Sequence, residues 1–291
     1  MLLRPNTWAK PAISVEEQVD RLVEKGLIVR QRQDAASILS HVSYFKFNKY
    51  IETIAESANV FSPHTLEEVV QLYHLDRMVR ITLLEALLWI EAAFRANLSN
   101  IVTTEINDPF WYLDSSNFRN ESIFKKTLEE VEGDLIKAWM RKQPQGTRIP
   151  SDLEALPAWE MVESVSFGKL SKLFSNLKRV AFIEKVGKKF NLDRFNAKSV
   201  LRAFVCLRND CAHQGKILGS KFSIFPPSNA EMKAYGFDNT RLGGFVFFLA
   251  RAMKTEPEAC NQFLDKISYV KRCTPSQISN DLGLGDIDKI R

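Results

Sequence analysis

Apolar residues recur at helical spacing along nearly the whole chain, broken by short polar or turn-forming stretches. Ser14-Val-Glu-Glu17 has the form of a capping box, and Val15, Val19, Leu22 and Val23 follow at helical spacing until Gly26. A second helix is predicted over residues 33–41 and a third over 44–57. Thr65-Leu-Glu-Glu68 is another capping box, and it opens the longest helical pattern, which runs to about Val102. Between Ile81 and Phe94 this pattern is apolar almost all round, as expected of a helix buried in a bundle or in an oligomer interface. Asn107-Asp-Pro109 ends it.

An amphipathic stretch covers residues 117–140, and the turn formers of 141–157 predict a loop. Helical patterns resume over 158–165, 168–178, 180–189 and 194–214, the last with Asp193 as N-cap and Gly215 as its stop. Pro226, Pro227 and Gly236 make 219–240 irregular; an apolar helix covers 241–254, and the polar remainder to Arg291 suggests two short helices. No internal repeat and no useful strand alternation is present. The expected fold is all-α, divided into an N-terminal helical region (1–60), a helical core (61–254) and a polar C-terminal tail (255–291).

Composition narrows the class. Of 291 residues 45% are apolar, enough for a sizeable core, and no apolar run is long enough to span a membrane. The segment Met1–Trp8 lacks the apolar centre of a signal peptide, so a cytoplasmic location is expected. The four cysteines, Cys206, Cys211, Cys260 and Cys273, form no CxxC pair and are expected to be reduced and buried, with no metal bound. No phosphate-binding loop, G-x-S-x-G or H-E-x-x-H occurs, and no cofactor is expected. His41, His64 and His74 have no partners at ligand spacing.

Charge is concentrated. Residues 169–216 carry twelve basic and three acidic side chains, a net +9, which leaves −4 for the rest of a chain whose total is +5. That is the electrostatic footprint of a polyanion-binding surface, or else a solvated helical face. The helix expected over 194–214 carries the sharpest pattern. On a wheel, Arg194, Lys198, Arg202, Arg208, Asn209 and His213 share an arc of about 140°, opposite a stripe of Val200, Ala203, Phe204, Leu207 and Cys211. Leu201, Val205 and Ala212 fall in or beside the polar arc, where a partner subunit packing on the helix would suit them. Asn209 and His213 are neighbours, whereas Arg208 and His213 diverge by about 140° and would meet only through the reach of the Arg or across a two-fold dimer. An imidazole for proton transfer and a guanidinium for a phosphate are the groups that RNA transesterification needs, though a lone helical His is more often structural.

Arg208-Asn-Asp-Cys-Ala-His213 resembles the R-x4-H motif of the HEPN ribonuclease superfamily. The wider chain resembles its Abi (abortive infection) branch. The likeness is carried by Lys10–Gln18, Gly26–Ile28, Val42–Phe45, Leu72–Arg77, Ile90–Arg95, Pro109–Trp111, Pro157–Trp159 and Ser166–Lys178. The resemblance implies a HEPN-type helical bundle with additional N-terminal helices and a short C-terminal extension. It implies a homodimer with both motifs facing one cleft, and metal-independent endoribonuclease activity used as a toxin in phage defence. Arg208 and His213 would be catalytic, with Asn209 as the accompanying polar residue and Lys216 as a second basic residue after the His. The aromatic that commonly follows in the family is missing from Lys216–Ser220, and Gly215 stands where a nucleotide-modified Tyr occurs in one variant.

Around this motif, Arg194, Lys198 and Arg202 are expected to guide the backbone of an RNA, whether a tRNA, an mRNA or a regulatory RNA. Glu91 and Arg95 are most simply a helical ion pair, or more sharply a support for the Arg208–His213 cleft. Arg77 and Arg80 are read as structural, and Trp111, Trp159 and Phe167 as core. The alternative to an enzyme is a non-catalytic RNA- or protein-binding module of the same fold.

Overall fold

The computed structural model describes residues 12–55, 64–149 and 154–291. Among the described residues the chain is helical and contains no sheet, only isolated bridges between Ile28 and Thr65 and between Phe118 and Leu177. The end of the third expected helix, at 56–57, and part of the 141–157 loop lie outside the described residues. The described residues fall into two compact units, one drawn from residues 12–78 with 274–278 and the other from residues 79–273 with 279–291.

The first unit contains α1 (Val15–Glu24), α2 (Arg32–His41), α3 (Tyr44–Ile54) and the start of α4 (Leu66–Ile106). Its helix starts follow the sequence closely. Ser14 Oγ accepts from Glu17 N at 3.1 Å while the Glu17 carboxylate accepts from Ser14 N at 2.6 Å, and Thr65 and Glu68 repeat the arrangement at 3.3 and 2.8 Å. Each box satisfies two otherwise orphaned donors of a first turn. Val19, Leu22, Ala35, Leu39, Phe47 and Tyr50 are buried, and the Tyr50 hydroxyl donates to the buried Asp76 carboxylate at 2.7 Å.

In the second unit, α4 continues with Leu83, Leu87, Ile90, Phe94, Leu98 and Val102 all fully buried at spacings of three and four. Phe94 is the centre of an aromatic cluster, with the rings of Phe167, Phe174 and Phe190 at 5.7, 5.4 and 6.4 Å. The helix is not buried all round. Ile81 and Leu88, seven residues apart and so on one face, are each 56% exposed. Asn107, in the left-handed region at φ 60°, ends the helix where the turn signal predicts.

Around α4 lie α5 (Glu121–Met140), α6 (Ala158–Ser164), α7 (Phe167–Asn176), α8 (Val180–Lys188) and α9 (Ala197–Ala212). Residues 219–240 are irregular except for the short α10 (Ala230–Ala234), and α11 (Leu242–Ala252) is buried over almost its whole length. Gly243 is required there, because a Cβ at that position would overlap the Gly283 carbonyl oxygen. Two expectations change. Trp159 is 53% exposed rather than core, because Ala158, Met161, Val162 and Val165 set the inward face of α6 and leave Trp159 on the other side. The stretch expected as a polar tail holds a 17-residue helix, α12 (Pro257–Cys273), burying Cys260, Phe263, Leu264, Ile267 and Val270 on one stripe, followed by α13 (Ser276–Ser279). Of the cysteines, Cys211 and Cys260 are buried as expected, Cys206 is half-buried and Cys273 is exposed.

Candidate functional site

The motif helix begins three residues later than its sequence suggests. The Asp193 carboxylate does not cap the helix; it accepts from Phe195 N at 2.8 Å and Asn196 N at 3.0 Å and so holds a turn in front of it. Arg194 therefore lies in that turn, exposed, with its guanidinium 4.6 Å from the centre of the exposed Phe195 ring. From Ala197 onwards the wheel holds: Val200, Ala203, Phe204, Leu207 and Cys211 are buried.

Leu201 and Val205, which the sequence offers to a partner subunit, are buried within this chain, at 0% and 9% exposure. For Val205 the reason is α7. It packs on α9 with Gly168 beside Val205, where even a Cβ on the glycine would be in ordinary contact with Val205 Cγ1 at 3.6 Å. Ala212 is exposed.

The C-terminal end of α9 is a Schellman turn. Gln214 adopts φ 58°, its N–H donates to Cys211 O at 3.1 Å, and the Gly215 N–H donates to Asp210 O at 2.6 Å. The left-handed residue is thus Gln214 and not Gly215. The glycine serves a different need, since a Cβ there would lie 3.1 Å from Asp210 O. Arg80, 5% exposed, donates to Gly215 O at 3.3 Å and ties this turn to α4. His213 is the C-cap residue and is exposed.

Arg208 is held from α4. Its guanidinium lies 3.2 Å from Glu91 Oε2 and donates to Asn209 Oδ1 at 3.0 Å. The Glu91 contact is ionic and not a well-aligned hydrogen bond, since Oε2 is buried without a hydrogen-bond donor in line with it. The other Glu91 oxygen accepts from Arg95, which also donates to Val162 O and, at 2.7 Å, to Val165 O at the C-terminal end of α6. A cation at those last carbonyls suits the helix dipole. Glu91 and Arg95 are thus a helical ion pair, and Glu91 also lies beside Arg208.

The other basic residues fall into different settings. Lys198 is half-buried, its Nζ donates to Ser175 O at 2.7 Å, and burial, with the Arg119 charge adding to it, lowers its pKa. Arg202 is exposed with no ion pair among the described residues, and Lys216 is half-buried. Sequence spacing also passed over Asp210, three residues before His213. Although Asp210 is exposed as a residue, burial of its carboxyl raises its pKa, and the His213 charge opposes that rise. Asp210 was legible as an i, i+3 neighbour; the Arg80 contact, spanning 135 residues, was not.

The arrangement gives an anchored guanidinium, an adjacent amide and an exposed imidazole at a helix end. No helix among the described residues is long and apolar enough to cross a membrane. Searches of curated proteins and of solved structures found no match. A family model described as Abi-like protein matches residues 37–218, which holds α4, α9 and the whole Arg208–His213 motif, and the chain belongs to that Abi-like family.

Proposed function

We propose that the chain is a metal-independent endoribonuclease of the HEPN type, acting as a toxin in abortive-infection phage defence. The observation that carries this reading is the Arg208–His213 motif inside an Abi-like match, with Arg208 anchored by a buried carboxylate and His213 left exposed. In this reading His213 moves protons, taking one from the attacking 2′-hydroxyl or giving one to the leaving 5′-oxygen. Arg208 binds the scissile phosphate and stabilises the charge that builds on it. Asn209, bonded to Arg208, orients it.

Because Arg208 and His213 diverge on the helix, the reading places two copies around one cleft, each supplying one of the two groups to a phosphate. The exposed Ile81 and Leu88 supply apolar surface for such a homodimer. RNA enters along the basic residues Arg194, Lys198, Arg202 and Lys216.

The test is cleavage of total bacterial RNA by purified wild type, Arg208→Ala and His213→Ala with EDTA present. Cleavage by wild type alone, leaving 2′,3′-cyclic phosphate or 3′-phosphate ends, supports the reading; equal cleavage by all three refutes it. The engagement of Arg208 with Glu91 favours a second reading, a non-catalytic module that binds RNA or protein. Salt-sensitive RNA binding that survives His213→Ala, with no cutting by wild type, is its signature.

A further inference from the structure

A groove of about 560 Å³ lies on the motif-bearing face of α9, on the N-terminal side of His213. Its floor is α7, where Gly168 has no side chain and Ser171 and Ser175 have small ones, and its walls are α5 and α9. The helices run in alternating directions. Lys198 of α9 meets Ser175 near the end of α7 while Val205 meets Gly168 near its start, and Asn176 and Lys172 of α7 meet Asn120, the N-cap of α5, and Glu130 of α5 in reverse order. The groove therefore runs along α9 past Arg202 and Cys206, and the same helix face continues to Asn209 and His213, about 10 Å further on at the rise of a helix.

Three features of the groove point to a ligand. Val205, Ile123 and Ile224 give it apolar surface. Arg202 and Lys126 stand at it with no ion pair among the described residues, whereas Lys172 is neutralised by Glu130 at 2.6 Å. Ser171 is 5% exposed and lines the groove, where its hydroxyl is a polar group within reach of an occupant. A planar apolar body with a polar edge and an attached anion fits all three, and the volume falls in the range of about 300–1,000 Å³ typical of small-ligand sites.

We propose that this groove holds one nucleotide of a single-stranded RNA beside the bond presented to His213, with the base over Val205 and Ile224, its polar edge on Ser171, and its phosphate between Arg202 and Lys126. This rests on the ribonuclease reading and adds to it a subsite through which the enzyme selects the base next to the cut. Unstacked single strands are the form in which a base is free to enter such a groove.

Cys206 lies in the groove and reports on it. Full-length protein is alkylated with iodoacetamide, with and without a 2′-O-methyl RNA octamer that cannot be cleaved, and the modified peptides are quantified by mass spectrometry. Burial raises the pKa of the Cys206 thiol, so labelling is run at mildly alkaline pH. The octamer is expected to slow alkylation of Cys206 about tenfold, with Cys273 as the exposed control. Arg202→Ala should raise the half-protecting octamer concentration about tenfold, as loss of one charge-assisted contact does. Ser171→Leu should abolish protection, and the exposed Lys126→Ala, which carries no packing role, should weaken it about threefold.

If wild type binds the octamer by fluorescence anisotropy and cuts RNA while Cys206 stays equally reactive, the subsite is wrong and the ribonuclease stands. Protection as strong by free AMP, GMP, CMP or UMP would make this a mononucleotide site and overturn the RNA assignment. If wild type neither binds the octamer nor cuts RNA, the ribonuclease reading fails and the subsite with it.

Discussion

Glu91 offers the sharpest test of how the site is held. Its side chain is 8% exposed and touches Arg95, 13% exposed, and Arg208, 31% exposed. At 3.2 Å, and with an effective dielectric of about 20, the gross attraction between Glu91 and Arg208 is about 5 kcal/mol. Burying the carboxylate offsets much of that, and the partial exposure of Arg208 weakens the pair further, so a net coupling of about 1 kcal/mol is expected for Glu91–Arg208. Glu91→Gln keeps an acceptor for Arg95 but removes the one charge that faces both guanidinium groups, and should cost about 3 kcal/mol. The assay is urea unfolding of wild type, Glu91→Gln, Arg208→Ala and the double variant, from which the coupling follows as a double-mutant cycle. RNA cleavage should fall with Glu91→Gln too, because Arg208 would lose its anchor. A Glu91→Gln protein within about 0.5 kcal/mol of wild type, with no coupling to Arg208→Ala, would refute the reasoning.

Three further outcomes follow from the packing. Gly243→Ala should destabilise the protein by about 3 kcal/mol or prevent folding, measured by thermal unfolding, since its Cβ has no room beside the Gly283 backbone. Leu88→Glu should leave stability within about 0.5 kcal/mol because the residue is exposed, yet shift the species to monomer in sedimentation velocity and lower cleavage; a fully active monomer would remove the dimeric cleft from the mechanism. Burial, with the Glu132 charge adding to it, pushes the Tyr112 pKa up to about 12 from the ordinary 10.0. The unfolded tyrosine ionises first, so the contribution of Tyr112 to stability is intact below pH 10 and disappears as pH rises towards 12. Tyr112→Phe should lack that alkaline slope in urea unfolding.

What could be read from the chain was what local physics decides. The capping boxes at Ser14 and Thr65, the stop at Asn107 and the buried stripe of α9 all depend on residues within one or two turns of each other. The misreadings had two sources. One was competition between local roles: Asp193 has the chemistry of an N-cap and spends it on a turn. In α12 the signal was present, with Cys260, Phe263, Leu264, Ile267 and Val270 at helical spacing, but the many polar residues around them obscured it. The other source was distance. Nothing within α9 shows that Leu201 is buried or that α7 covers Val205, and no spacing rule joins Arg208 to Glu91 or Gly215 to Arg80. Trp159 combines both, being a large aromatic whose short helix turns its other face inward.

The turn after His213 has a consequence for how the motif tolerates change. Arg208 is clamped from α4, and the Schellman turn is clamped from the same helix by Arg80, so the number of residues between the two clamps is fixed. Deleting one residue from Asn209–Ala212 would swing His213 by about 100° and draw it back by about 1.5 Å, while both clamps pulled against the shift. Substitutions at Ala212, which is exposed, ask nothing comparable of the fold. The segment is therefore permissive in residue identity at that position and rigid in length, the reverse of the turn at 141–149, where residues can be added without moving a clamp.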